Sequence, residues 1–322
     1  MQIRPFSMED LTAVVTLWNR EATKYDYKPL TEREFQDTFI NHAYFDEKCI
    51  WVGCKGGEVV GFAAGCSGMD LPLGDVTGYI TCVIVDAEVA SPELYDELLA
   101  ELESRFRELG KKQADVLFFN PVKLKWLIPG ASPHEHNNAP GISKELPLYE
   151  ALLARGYADR ATQCGMYLKL GSFQVPEDII GKESKANLKG YEVRLYDAAL
   201  HTGLEATLAA LDNPQWKKDV TAYAKSGTPL VVAVNGHEVV GFSGPIIVEP
   251  SGRAFFCGIG VHPEHEGHGL GSVLFFRMVE AFQNAGCQYI SLFTGSNNPA
   301  IRIYQKAGFT IVKQFSILRR EI

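Results

Sequence analysis

Short apolar runs of strand length, broken by glycine-containing turns, alternate along this chain with segments whose apolar residues fall at helical spacing. The pattern occurs twice. Residues 51–62 read WVGCKGGEVVGF and residues 231–242 read VVAVNGHEVVGF. Each predicts a strand, a glycine turn and a second strand, as in a β-hairpin. Upstream, Ile3-Arg4-Pro5-Phe6 corresponds to Val193-Arg194-Leu195-Tyr196. Downstream, the apolar run Ile80–Val85 corresponds to Phe255–Val261. A long amphipathic helix follows in each copy. Leu94, Leu98, Leu99, Leu102, Phe106 and Leu109 carry one apolar stripe; Leu270, Val273, Leu274, Met278, Val279 and Phe282 carry the other. Gly110 and Gly286 stand where helices of this kind stop. Further strands are expected at Val116–Phe119 and Tyr289–Phe293. Short helices should end in Gly156-Tyr157 and Gly308-Phe309, and closing strands lie near Gly165–Leu170 and Ile311–Leu318.

Strands interleaved with helices, in the same order twice, predict an α/β (α+β layered) architecture of two tandem domains. The expected boundaries are 1–170 and 190–322. The segment 171–189 is polar, contains Gly and Pro, shows no clear period, and reads as a linker.

Composition narrows the function. The chain has 322 residues, 46% hydrophobic and 22% charged, which excludes a disordered chain, a collagen-like repeat and a coiled coil. The longest apolar runs, such as Leu230 to Val234, fall far short of the ~18 residues of a membrane helix. The N-terminus has no apolar signal-peptide core, so a cytoplasmic protein with no membrane partner is expected. The net charge of −8 disfavours nucleic acid, which needs clustered Lys and Arg. The odd count of seven cysteines, with no CxxC spacing, suggests reduced thiols, most of them in the core.

The copies diverge where chemistry could happen. The second carries Val261-His262-Pro263-Glu264-His265-Glu266-Gly267-His268-Gly269-Leu270-Gly271-Ser272 between a strand and a helix. Glycines let the backbone turn and approach a ligand closely, and the helix start offers unpaired N–H groups, a combination suited to phosphate. A plain tight turn is the bland alternative. The loop lacks the Gly-Lys-Ser/Thr of a P-loop and the placement of a dinucleotide fingerprint. The first copy has Asp86-Ala87-Glu88-Val89-Ala90-Ser91-Pro92-Glu93 at the matching place, without glycines and with added carboxylates.

The Val-x-Pro and Gly267-x-Gly269-x-Gly271 arrangement, followed by Asn297-Asn298-Pro299-Ala300-Ile301-Arg302-Ile303-Tyr304-Gln305-Lys306-Ala307-Gly308-Phe309, resembles the two signatures of the GNAT N-acetyltransferases. The resemblance covers residues 190–322 and makes the first copy a degenerate partner. It implies two GNAT-like domains, each a mixed, mostly antiparallel sheet flanked by helices. It implies acetyl-CoA as cosubstrate, no metal, and acetyl transfer by direct attack of a primary amine, on a small molecule. It assigns Glu266, Gly267, His268, Gly269, Leu270, Gly271 and Ser272 to the pyrophosphate, and Ile259, Gly260 and Val261 to the pantetheine arm and the oxyanion. It assigns Asn297 to the cofactor or to a helix cap, and Tyr304 to the cofactor and to protonation of the departing thiolate. Glu266 departs from the Arg or Gln usual there. A carboxylate about 5.5 Å from a phosphate charge would repel it by ~3 kcal/mol at an effective dielectric near 20, so Glu266 is expected to point outward.

Other readings stand beside these. Tyr304 could only pack its helix. Glu249 and His262 are candidate bases, water could relay the proton, and Cys257 is a core thiol in preference to a nucleophile. The histidines 262, 265 and 268, and His134-Glu135-His136, could hold a metal. The long segment Pro121 to Pro147 reads as a solvated loop or as a lid over the acceptor. The rival function classes are a non-catalytic CoA-binding or sensor protein and a nucleotide-binding α/β protein.

Overall fold

The structure is a computed structural model that describes residues 1–117 and 120–322, so Phe118 and Phe119 of the expected strand lie outside the described residues. Contacts divide it into two compact units, and the division does not follow the expected boundaries. The first unit is Met1–Met166 with Leu292–Asn298 and Ile311–Ile322; the second is Tyr167–Ser291 with Pro299–Thr310.

The elements of the first copy run β1 (Gln2–Pro5), α1 (Leu11–Glu21), α2 (Glu32–Phe39), β2 (Ile50–Lys55), β3 (Glu58–Cys66), β4 (Thr77–Val85), α3 (Pro92–Glu108) and β5 (Gln113–Val116). Then come β6 (Trp126–Leu127), β7 (Glu135–His136), β8 (Ile142–Ser143), α4 (Pro147–Ala154) and β9 (Ala158–Lys169). The second copy has α5 (Glu177–Asn187), β10 (Tyr191–Leu195), α6 (Leu204–Ala210), α7 (Pro214–Lys225), β11 (Val231–Asn235) and β12 (Glu238–Gly244). It continues with β13 (Ile247–Val248), β14 (Arg253–Phe255), β15 (Gly258–Val261), α8 (Leu270–Asn284), β16 (Tyr289–Gly295), α9 (Ile301–Lys306) and β17 (Thr310–Glu321).

The repeated hairpins match to the residue. In β2–β3 the register slips between Gly53 and Cys54, and in β11–β12 between Ala233 and Val234, the corresponding position. Gly56 and Gly57 both have positive φ, as a type I′ turn requires; in the second hairpin only Gly236 does. Each long helix ends before a glycine at positive φ, Gly110 and Gly286, which takes the left-handed cap that a Cβ would disfavour.

In the first unit the sheet order is β1-β2-β3-β4-β5-β17, antiparallel except for the parallel β4–β5 pair. An apolar core runs through it from Leu11 and Trp18 through Leu98 and Leu102 to Leu318. The closing strand expected to complete the second copy is therefore a strand of the first unit from Ile311 onward: Leu318 pairs with Val116 and Arg320 with Ala114. The stretch 121–147 is not a solvated loop. β6 pairs with β7 and β8 with β17, and Trp126, Ile128 and Ile142 are buried. Gly165 faces Trp126 so closely that a Cβ there would lie 2.9 Å from the indole.

In the second unit, β10-β11-β12-β15 form an antiparallel sheet, with Leu204, Leu208, Val220, Val232 and Phe242 in its core. β14 pairs with β13 and, in parallel, with β16. The expected linker is also corrected. Its middle is an eleven-residue helix, α5, which buries Ile179 and Ala186, two turns apart. Two apolar positions in a polar stretch give too weak a stripe to declare a helix from sequence. All seven cysteines are free thiols, six of them buried. Among the described residues no helix is long and apolar enough to cross a membrane.

Candidate active site

The second unit opens its sheet at one point. β14 pairs with β16 only at Arg253–Tyr289 and Ala254–Ile290. The chain then bends through Phe256 and Cys257, and β15 pairs instead with β12, Gly258 opposite Gly244 and Val261 opposite Gly241. The other edge of β15 has no strand partner among the described residues, so Ile259, Gly260 and Val261 present peptide groups to whatever enters the gap. Helices α6 and α7 explain the glycines of this strand. A Cβ on Gly258 would lie 2.4 Å from the Trp216 indole, and one on Gly260 would lie 2.5 Å from Leu211. Trp216 Nε1 donates to the Cys257 carbonyl at 3.0 Å and fixes the bend. Trp216 escaped the sequence reading, because one tryptophan in an amphipathic helix carries no sign of what it packs upon.

Beyond β15 the chain turns into α8. His262 Nδ1 accepts from the Glu264 N–H at 3.2 Å. Gly267 and Gly269 sit at φ +79 and +77, conformations in which a side chain is strained. Among the described residues, the backbone N–H groups of Gly267, His268, Gly269, Leu270, Gly271 and Ser272 have no hydrogen-bond partner in the protein. This run of donors lies at the positive end of a fifteen-residue helix. Glu266 is exposed, as expected, while Leu270 is buried in the core below the loop. His265 and His268 frame the loop: the Tyr191 hydroxyl is 3.0 Å from His265 Nδ1, and its ring centroid is 4.9 Å from that of His268.

The matching turn of the first unit satisfies itself. The Asp86 side chain accepts from the Glu88 N–H at 2.9 Å, Ser91 Oγ caps Leu94 at 3.3 Å, and Pro92 has no N–H to offer. Asp86 is also held by Arg20 at 2.6 Å. Counting back from the Gly-aromatic pairs, Leu152 occupies the place of Tyr304, and it is fully buried.

Tyr304 lies on α9 with its ring 5.2 Å from Phe275 and 5.9 Å from Phe309. Its hydroxyl has no protein partner among the described residues, and burial pushes its pKa up, keeping the phenol protonated at neutral pH. The helix-cap reading of Asn297 is not what the structure shows: the N-cap position of α9 is Ala300, and Asn297 is exposed in the preceding turn. Neither sequence candidate for a base is unengaged. Glu249 binds the nearly buried Arg253 through two bonds of 2.7 and 3.0 Å, and His262 has committed Nδ1 to the loop. Cys257 donates to the Gly244 carbonyl at 3.2 Å, and burial, helped by Asp219, pushes its pKa up to about 11, so it is a thiol and a poor nucleophile. Glu135 is paired with Lys28, and His136 stacks on Trp126. Among the described residues no group of three or more His, Cys, Asp or Glu side chains is arranged to hold a metal.

Residues 195–309 match the sequence model of the Acetyltransferase (GNAT) family. Comparison with curated protein sequences finds no match. Among solved structures, a GCN5-related glucosamine N-acetyltransferase region of a fungal multi-domain GH3 β-N-acetylglucosaminidase superimposes with a TM-score of 0.67 and 14% identity, over 99% of this chain and 38% of that one. The chain thus spans well under half the length of that relative. A GCN5-related N-acetyltransferase from Sphaerobacter thermophilus gives 0.63 and 16%, covering 99% and 95%. A tandem GNAT protein from the clavulanic acid biosynthesis pathway gives 0.58 and 16%, covering 99% and 98%. Residues 195–309 thus match the acetyltransferase (GNAT) family model, and the chain has the fold seen in a tandem GNAT protein.

Proposed function

We propose that the protein transfers an acetyl group from acetyl-CoA to the primary amine of a small molecule, by direct attack, in the second unit. The observation that carries this is the run of unpartnered N–H groups from Gly267 to Ser272 beside the open edge of β15. The first suits a diphosphate, and the second suits the amides of a pantetheine arm. The amine nitrogen attacks the thioester carbon, a β15 N–H steadies the oxyanion, the C–S bond breaks, and the Tyr304 hydroxyl protonates the thiolate. The ammonium proton leaves through water, in keeping with the engaged state of Glu249 and His262. Steady release of free CoA on mixing the protein with acetyl-CoA and a panel of amines tests the reading; no release with any amine overturns it.

A second reading, CoA binding without turnover, draws on the same absence of an unengaged base. It expects saturable CoA binding with no release of CoA.

A further inference from the structure

Helix α5, which the sequence presents as a spacer between the copies, carries an asymmetric set of charges. Its acidic side chains on the α8 side are neutralised within the second unit. Glu183 is bound by Arg277 with its Nε at 3.0 Å, and Asp178 by Lys306. Lys182 acts on Asp178 only at longer range, and Lys189 lies two residues past the end of the helix. Among the described residues no carboxylate makes an ion pair with Lys182 or Lys189. Both lie against the loop ahead of α8. A methyl group on Gly269 would lie 3.7 Å from Lys182 Cδ and 3.8 Å from its Cβ, so the lysine stem runs alongside the unpartnered N–H groups. Lys189 Nζ is 3.4 Å from His268 Nδ1. The two lysines, one on the helix and one just past its end, thus meet adjacent residues of the loop. The loop itself bears the opposite sign, with Glu264 and Glu266 exposed on it.

We propose that Lys182 of α5 and Lys189, in the turn just past its C-terminal end, complete the phosphate site, supplying the positive charge that Glu266 withholds. Their role is to position and hold phosphate oxygens of CoA at the loop. The inference rests on the proposed binding of CoA in the second unit. It gives α5 a ligand-binding task in addition to joining the copies. A phosphate group attracts each ammonium, and the exposed geometry makes that attraction dependent on salt.

The test is calorimetric titration of the full-length protein with CoA, 3′-dephospho-CoA and pantetheine, for the wild type and for Lys182→Glu, Lys189→Glu and Lys185→Glu. Lys185 is an exposed lysine of α5 that makes no hydrogen bond or ion pair among the described residues, and it controls for a general change of charge. The expected result is a loss of CoA affinity of about tenfold at low salt for Lys182→Glu, shrinking at high salt, with a smaller loss for Lys189→Glu. Lys185→Glu should stay within about twofold and pantetheine binding should not change. An equal loss for CoA and 3′-dephospho-CoA assigns the lysines to the diphosphate, and a loss for CoA alone assigns them to the 3′-phosphate; both support the inference. Wild-type affinity in Lys182→Glu and Lys189→Glu, or an equal loss in Lys185→Glu, overturns it and leaves the proposed function standing. A wild-type protein that fails to bind CoA overturns both. Matching thermal melts for the variants confirm that folding is not what changed.

Discussion

Glu103 is fully buried in the first unit, yet it is charged, because its partners outweigh its burial. Burial alone would raise its pKa. Arg155 at 2.8 and 2.9 Å, the Tyr157 hydroxyl at 2.9 Å and Arg320 at 3.1 Å bring the net shift below the ordinary 4.5. Asp115 shows the other balance: burial holds its carboxyl above the usual range even with Arg319 at 2.8 Å. The signs give opposite pH effects. Glu103, depressed in the folded state, contributes stability that is present above its unfolded pKa and is lost as pH falls through the folded one. We expect Glu103→Gln to cost about 3–5 kcal/mol at neutral pH, because Arg107, Arg155 and Arg320 lose their counter-charge and the Tyr157 hydroxyl a charged acceptor. Urea unfolding from about pH 6 to 3 should also show a flatter acid limb in the variant. An unchanged limb would mean that Glu103 does not titrate as argued. Tyr304 is the residue whose removal separates chemistry from binding. Tyr304→Phe should lower kcat by about 10²–10⁴-fold with little change in the KM for acetyl-CoA, since leaving-group protonation acts in the transition state. Steady-state kinetics giving wild-type turnover would leave the ring packing against Phe275 and Phe309 as its whole role.

Among the elements, the starts of α3 and α8 are the same helix terminus in two conditions. α3 is closed by Ser91, Pro92 and the Asp86 turn, while α8 begins at Gly269 with its donors open. Gly269→Ala should keep the fold, cost about 1 kcal/mol for a left-handed backbone with a Cβ, and weaken CoA binding. Gly269→Asp should weaken it much further by adding charge where phosphate is expected; unchanged affinity by calorimetry would count against the loop. The contrast was legible in sequence, because glycines, proline and N-cap serine act within a few residues of themselves. The fate of β17 was not. Its alternating pattern signals a strand, but the partner of a strand is chosen by packing far away in sequence. Leu318 is fully buried beside Val116. Leu318→Ala should therefore destabilise the first unit by about 2–5 kcal/mol, measured by chemical unfolding, although the residue lies four from the C-terminus.

For the molecule as a whole, the loop contrast predicts one CoA site per chain, and calorimetry giving two equivalent sites would contradict it. The division into units predicts that a fragment of residues 190–322 will not behave as a clean domain, because Leu318 belongs to the core of the first unit and the buried Phe315 pairs with Ser143 in its sheet. Low solubility or a broad, uncooperative melt is expected, and a sharp melt with full activity would refute it. By itself the sequence determined the repeat, the two hairpins, the long helices and their glycine stops, and which copy keeps the glycine loop. Each is set by propensity or by contacts within a few tens of residues. Only the tertiary structure decided that the segment 171–189 holds a helix set against the loop. It also decided that 121–147 is packed and not solvated, that Glu249 is spent on Arg253, and that the last strand joins the first unit. These depend on which distant surfaces meet, and hydrophobic periodicity reports that a face will be buried without naming what buries it.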